Sequence, residues 1–95
     1  MGTITLEQSV QKKIITYLKN KKAYVIKTIV STKNGVPDII CCYKGRFIGF
    51  EVKKDAQQKA TDLQLYNLQK IWEAGGEGYV VSSLGQVINV IENQN

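Results

Sequence analysis

Along this chain the spacing of apolar residues changes several times, and each change marks an element. Leu6, Val10, Ile14, Tyr17 and Leu18 recur at helical intervals, and Thr5 with Gln8 has the spacing of a capping box. A helix over residues 5–20 is predicted, with Lys12 and Lys19 largely outside its apolar stripe. AYVIKTIV, residues 23–30, is rich in β-branched residues and predicts a strand, and the polar loop STKNG follows it. Two apolar runs, GVPDIICCY and RFIGFEV, flank Lys44-Gly45 and predict a hairpin. ATDLQLYNLQKIWEAGG predicts a second helix. It has Thr61 and Gln64 at capping-box spacing, a stripe of Leu65, Leu68, Ile71 and Trp72, and Gly75-Gly76 as its stop. GYVVSS predicts a fourth strand and LGQVINVIEN a short terminal helix. The order α-β-β-β-α-β-α implies an α/β fold with a mixed sheet flanked by helices, the parallel crossover running through the Thr61 helix.

Composition narrows this picture. At 95 residues and 43% hydrophobic content, the chain suits one compact domain over residues 1–95. No run approaches the roughly 18 apolar residues of a membrane span, and MGTITLEQSVQKK lacks the apolar core of a signal peptide, so a cytoplasmic protein without a membrane partner is expected. Cys41 and Cys42 are neighbours in an apolar run, where a strand would point them to opposite faces, and both are expected to be buried thiols. With two cysteines and no histidine, a structural zinc site cannot be assembled, nor can Ser-His, Cys-His or His-metal chemistry. The net charge of +5 is unevenly spread: residues 1–36 carry +6 and residues 37–95 carry −1. Such asymmetry suits a polyanionic partner, although solvated lysines on a small domain produce it too.

Candidate chemistry emerges from the hairpin. If Lys44-Gly45 is a two-residue turn, paired residue numbers sum to 89, and Asp38 faces Glu51. Opposed carboxylates at ~5 Å repel by roughly 3 kcal/mol at an effective dielectric of about 20, so a cation is expected between them. Hard oxygen donors point to Mg²⁺, which binds one or two carboxylates and keeps several waters. The plainer alternative puts Asp38 in a turn after Pro37, with Glu51 and Lys53 alternating on a solvated strand face. Facing one another and flanked by apolar residues, the two acids favour the cation. Glu7 falls inside the apolar stripe of the first helix, which suits a third inward acid as well as a first-turn carboxylate favoured by the helix dipole. Gln64 fits either a ligand-orienting residue or the N3 partner of Thr61.

Pro37-Asp38, twelve intervening residues, then Glu51-Val52-Lys53 resembles the PD-(D/E)xK motif of restriction-endonuclease-like nucleases. GVPDII, FEVKK, TDLQ leading into a helix that ends in Trp72 and Gly75-Gly76, and YVVSS together resemble the virus-type replication-repair nuclease (VRR-NUC) family across almost the whole chain. The resemblance implies a restriction-endonuclease-like core and an active site of Glu7, Asp38, Glu51, Lys53 and Gln64. It implies a Mg²⁺ or Mn²⁺ ion held by Asp38, Glu51 and the Val52 carbonyl, with Glu7 available for a second ion. Lys53 would either stabilise phosphate charge or deprotonate water. Bare-domain relatives imply a homodimer cutting four-way (Holliday) junctions or other branched DNA, in a bacterial or phage-infected cell. Lys12, Lys13, Lys19, Lys21, Lys22, Lys33, Lys44 and Arg46 are expected to contact backbone phosphates, and the loop Ser31–Gly35, with Asn34, to approach the cut. The competing readings are a non-catalytic DNA-binding or assembly module and a flap, nicking or restriction-type nuclease.

Overall fold

A computed structural model describes residues 4–29 and 31–93. The first helix, α1, spans Leu6–Asn20 behind its N-cap Thr5, and the capping box closes in both directions: Thr5 Oγ1 accepts from the Gln8 amide at 3.1 Å, and Gln8 Oε1 from the Thr5 amide at 3.0 Å. Strands β1 (Tyr24–Lys27), β2 (Ile39–Tyr43) and β3 (Arg46–Val52) follow, then α2 (Asp62–Glu73), β4 (Glu77–Val81) and α3 (Leu84–Glu92). They form a four-stranded sheet in the order β1-β2-β3-β4. The first three strands are antiparallel, and β4 joins β3 in parallel through α2, as the predicted crossover requires.

Lys44 and Gly45 both take positive φ, the condition for a two-residue turn of type I′. Tyr43 therefore pairs with Arg46, and the β2–β3 register runs through Ile39 opposite Phe50 with a constant sum of 89. One sheet face, carrying Ile39, Cys41, Tyr43, Ile48, Phe50 and Val52, packs against Ile14 and Leu18 of α1 and Val87 and Ile91 of α3 to form the core. At the hairpin end of the sheet, Arg46 locks the layers together. It donates to both Glu77 carboxylate oxygens at 2.8 Å and to the carbonyls of Val90 at 2.9 Å and Ile91 at 3.4 Å. The opposite sheet face is only partly covered, because α2 rests on β3 and β4 alone.

Exposure and strand length correct several expectations. Cys41 is buried, and desolvation pushes its thiol up to about 11, whereas Cys42 lies on the uncovered face and is exposed. Leu65 and Trp72 are exposed, since the inward face of α2 is set by Asn67 and Leu68 instead. Leu6, at the open end of α1, is exposed as well. The first strand stops at Lys27 rather than running to residue 30: Ile29 is exposed, and Val30 lies outside the described residues.

The β1–β2 connection is anchored on α2. Gly35 has φ +77°, and a Cβ there would lie 2.7 Å from Leu63 Cγ. Asn67, almost fully buried, donates through Nδ2 to the Asn34 carbonyl at 3.1 Å and to the Leu63 carbonyl at 2.9 Å. Gly35→Ala is expected to cost roughly 2–4 kcal/mol in urea unfolding, from left-handed strain and overpacking together. Gly75→Ala, where the added Cβ meets nothing within 4 Å, should cost only the backbone share, about 1 kcal/mol. Equal losses at the two positions would contradict this account of the loop anchor.

Candidate active site

The chain bends at Asp38, one residue before β2 begins. Pro37 is buried there, and its ring fills the space above Gly49, where a Cβ would come within 2.9 Å of Pro37 Cγ. Asp38 Oδ2 accepts the Val52 amide at 2.8 Å, so a side chain occupies the place of a backbone ladder partner. In a strand the carbonyl of a residue points to the same side as its N–H, so the Val52 carbonyl faces the Asp38 side too.

Glu51, across from Asp38 when the register is continued by one residue, is 2% exposed. Its Oε2 accepts from Gln64 Nε2 at 3.1 Å and lies 3.7 Å from Lys53 Nζ, while Oε1 is buried without a hydrogen-bond partner. Burial raises the carboxyl to about 8 from its ordinary 4.5; Asp38 adds to the rise through its charge and a hydrogen bond, Lys53 opposes it, and Glu7 contributes slightly. The Lys53 side chain is buried beside it, and its backbone amide donates to the Val81 carbonyl at 2.8 Å.

Gln64 serves both readings that its position allows. Its backbone N–H donates to Thr61 Oγ1 at 3.2 Å and its Oε1 accepts from the Thr61 amide at 2.8 Å, completing the α2 capping box. That bond fixes the side-chain amide with Nε2 turned toward Glu51. Asp38, Glu51, Lys53 and Gln64 thus come together, and Glu7, partly buried at the start of α1, lies near enough to influence Glu51 by charge.

The basic candidates separate. Lys33 and Asn34 line a depression of about 390 Å³ with Thr28, Ser31, Gly35 and Asp38, adjoining the acids. Lys12, Lys13 and Lys19 are exposed along α1, and Lys44 caps the hairpin at the far end of β2 and β3. Arg46 corrects the expectation placed on it: two carboxylate bonds and two carbonyl bonds commit its guanidinium to the fold. Residues that the sequence did not single out also shape the site. Thr28, Asn67 and Gly49 hold the segment around Pro37 from three directions, and only the glycine directly before Val36-Pro37 hinted at a close approach there.

The donor set is one of hard oxygens: the bare Glu51 Oε1, the second Asp38 oxygen and the Val52 carbonyl. Among the described residues no group of three or more His, Cys, Asp or Glu side chains gathers as a metal site. Two carboxylates and a carbonyl, all hard oxygens and without a nitrogen or sulfur donor, suit Mg²⁺ or Mn²⁺ rather than a softer metal.

A carboxyl raised in the folded state binds a proton there that the unfolded chain has lost, so its contribution to stability is present below about pH 4.5 and disappears as pH rises through about 8. In chelator, wild type should therefore lose melting temperature relative to Glu51→Gln between pH 5 and 8. A difference that stays constant with pH would contradict the buried, acid-flanked environment assigned to Glu51.

Comparison with known proteins gives one kind of match. No family model matches the chain, and no curated protein matches it. Among solved structures, one described as "VRR_NUC domain" is 29% identical, with a TM-score of 0.83 over 96% of this chain and 99% of its own. Another, described as "VRR_NUC domain protein", is 24% identical with a TM-score of 0.78, over 97% of this chain and 88% of its own, a likeness of fold alone. The chain thus has the VRR_NUC fold along nearly its whole length.

Proposed function

We propose that this protein is a Mg²⁺- or Mn²⁺-dependent endonuclease that hydrolyses phosphodiester bonds in branched DNA, four-way junctions foremost, as a cytoplasmic homodimer. The observation that carries the reading is the buried Glu51 carboxylate, with an unpartnered oxygen beside Asp38 and an ammonium 3.7 Å from its other oxygen. A structural carboxylate buried for stability would have both oxygens hydrogen-bonded. The likeness to solved VRR_NUC domain structures supports a nuclease.

Asp38, Glu51 and the Val52 carbonyl would hold the cation, and Glu7 lies close enough to influence Glu51 by its charge. The chemistry such an ion supplies is polarisation of the scissile phosphate and a lowered pKa for a bound water. Lys53 stands beside the place of attack, where its ammonium balances the charge that develops on phosphorus oxygens or assists proton removal. Gln64 keeps Glu51 Oε2 engaged, which would leave Oε1 free for an ion. Lys33 and Asn34 sit where a backbone phosphate next to the cut would pass, and Lys12, Lys13, Lys19 and Lys44 extend the basic surface.

Two features support the finer reading. Lysines without a base-reading motif favour recognition of DNA shape over sequence. Tyr24, Ile26 and Phe47, exposed on the sheet face that α2 leaves bare, form an uncharged surface suited to a second copy, and a two-fold dimer matches the two symmetric nicks a four-way junction needs.

On labelled junction, flap, duplex and single-stranded DNA with Mn²⁺, wild type should nick the junction fastest. Asp38→Ala, Glu51→Ala and Lys53→Ala should each lower cleavage at least about a hundredfold while DNA affinity in Ca²⁺ persists, and Gln64→Ala should lower it roughly tenfold. Unchanged cleavage in the first three variants, or divalent-independent binding with no nicking by wild type, would refute the assignment.

A further inference from the structure

Thr28 hydrogen-bonds the backbone at Pro37 and Asp38 rather than the carboxylate of either acid. Its N–H donates to the Asp38 carbonyl at 2.9 Å, extending the β1–β2 ladder one step beyond the pair of Lys27 and Ile39. Its hydroxyl donates to the Pro37 carbonyl at 2.6 Å. In an antiparallel ladder alternate residues face alternate neighbours, so a regular continuation of β2 would aim the Pro37 carbonyl the other way, at the Val52 amide of β3. Instead that carbonyl is turned toward β1, and the vacated Val52 amide is taken by Asp38 Oδ2 at 2.8 Å.

We propose that Thr28 is a positioning residue for Asp38: its hydroxyl holds the Pro37 carbonyl off the β3 rung, which leaves the Val52 amide to anchor the Asp38 carboxylate with its second oxygen toward Glu51. Two acceptors, the Pro37 carbonyl and the Asp38 carboxylate, compete for one donor. A single hydroxyl on the neighbouring strand sets the outcome. Pro37 cannot reinforce the ordinary arrangement, because it has no N–H to return to the Val52 carbonyl. The same arrangement therefore leaves that carbonyl without a ladder donor and available as an oxygen ligand.

This inference rests on the cation reading proposed above, and the variants separate the two. Thr28→Val keeps the β-branched shape and removes only the hydroxyl, so the Pro37 carbonyl should return to the Val52 amide and displace the carboxylate. Titrating metal-free protein with Mn²⁺ by calorimetry, we expect the dissociation constant to rise about tenfold or more in Thr28→Val and to stay near wild type in Thr28→Ser, which retains the donor. The ¹⁵N-resolved amide resonance of Val52 should shift in Thr28→Val as it does in Asp38→Ala, and remain in place in Thr28→Ser. Should Thr28→Val fail to fold, Thr28→Ala makes the same comparison. Mn²⁺ affinity that falls in Asp38→Ala and Glu51→Ala but holds in Thr28→Val, or a Val52 resonance that Thr28→Val leaves unmoved, would overturn the role of Thr28. Affinity unchanged in Asp38→Ala and Glu51→Ala would overturn the cation reading, and this inference with it.

Discussion

Placing two carboxylates against one another at the end of a hairpin is unfavourable in water and more so where burial removes solvent, and the site depends on how this chain holds them there. Asp38 is anchored by a backbone amide, so its charge is partly satisfied. Glu51 is not satisfied to the same degree: one oxygen meets Gln64 and the Lys53 ammonium, and the other is buried without a donor, with the Asp38 carboxyl as its neighbour. Desolvation favours a proton on Glu51, and a divalent cation is the occupant that the proposed function assigns to the same oxygens. The rest of the fold supplies the stability that tolerates this local cost.

How that cost is tolerated can be followed through the elements. The core between α1, α3 and one sheet face is built on Ile14, Leu18, Phe50 and Val87, all fully enclosed, and Arg46 ties β3, β4 and α3 at the end of the sheet opposite the acids. Stability is thus concentrated away from the site. The site itself is assembled from element ends: the bend before β2, the last residues of β3, and the first turn of α2. Helix capping and the candidate site share a residue in Gln64, since the same side chain that closes the α2 capping box donates to Glu51. A helix start is a rigid place to hold a donor, because the capping bonds fix both torsion and direction.

The element order, the hairpin register and both capping boxes were legible because each rests on local spacing: a two-residue turn at Lys44-Gly45 dictates which residues pair, and Thr5-Gln8 and Thr61-Gln64 mark where helices begin. That Asp38 and Glu51 meet follows from the same arithmetic. Exposure was less legible. Leu65 and Trp72 share helical spacing with Leu68, but which side of α2 turns inward depends on where it lands on the sheet, and it lands over β3 and β4 only. Cys42 was read as buried for the same reason, since alternation tells which face a residue occupies and not whether that face is covered. Arg46 illustrates a different limit: a lone arginine in a basic chain suits phosphate contact, and only the parallel neighbour Glu77 and the end of α3 reveal that its donors are already committed. Thr28 and Asn67 were invisible because their importance comes from single carbonyls, one turned out of the regular ladder and one in a loop, which no periodicity encodes.

The central claim concerns one position in space, between Asp38 and Glu51, and anomalous diffraction from crystals grown with Mn²⁺ tests it most directly. The account predicts a strong anomalous peak about 2.0–2.3 Å from Glu51 Oε1 and from an Asp38 carboxylate oxygen, with the Val52 carbonyl among its neighbours. A map with no density between the two acids, or manganese bound only at surface carboxylates such as Glu73 or Asp62, would contradict it.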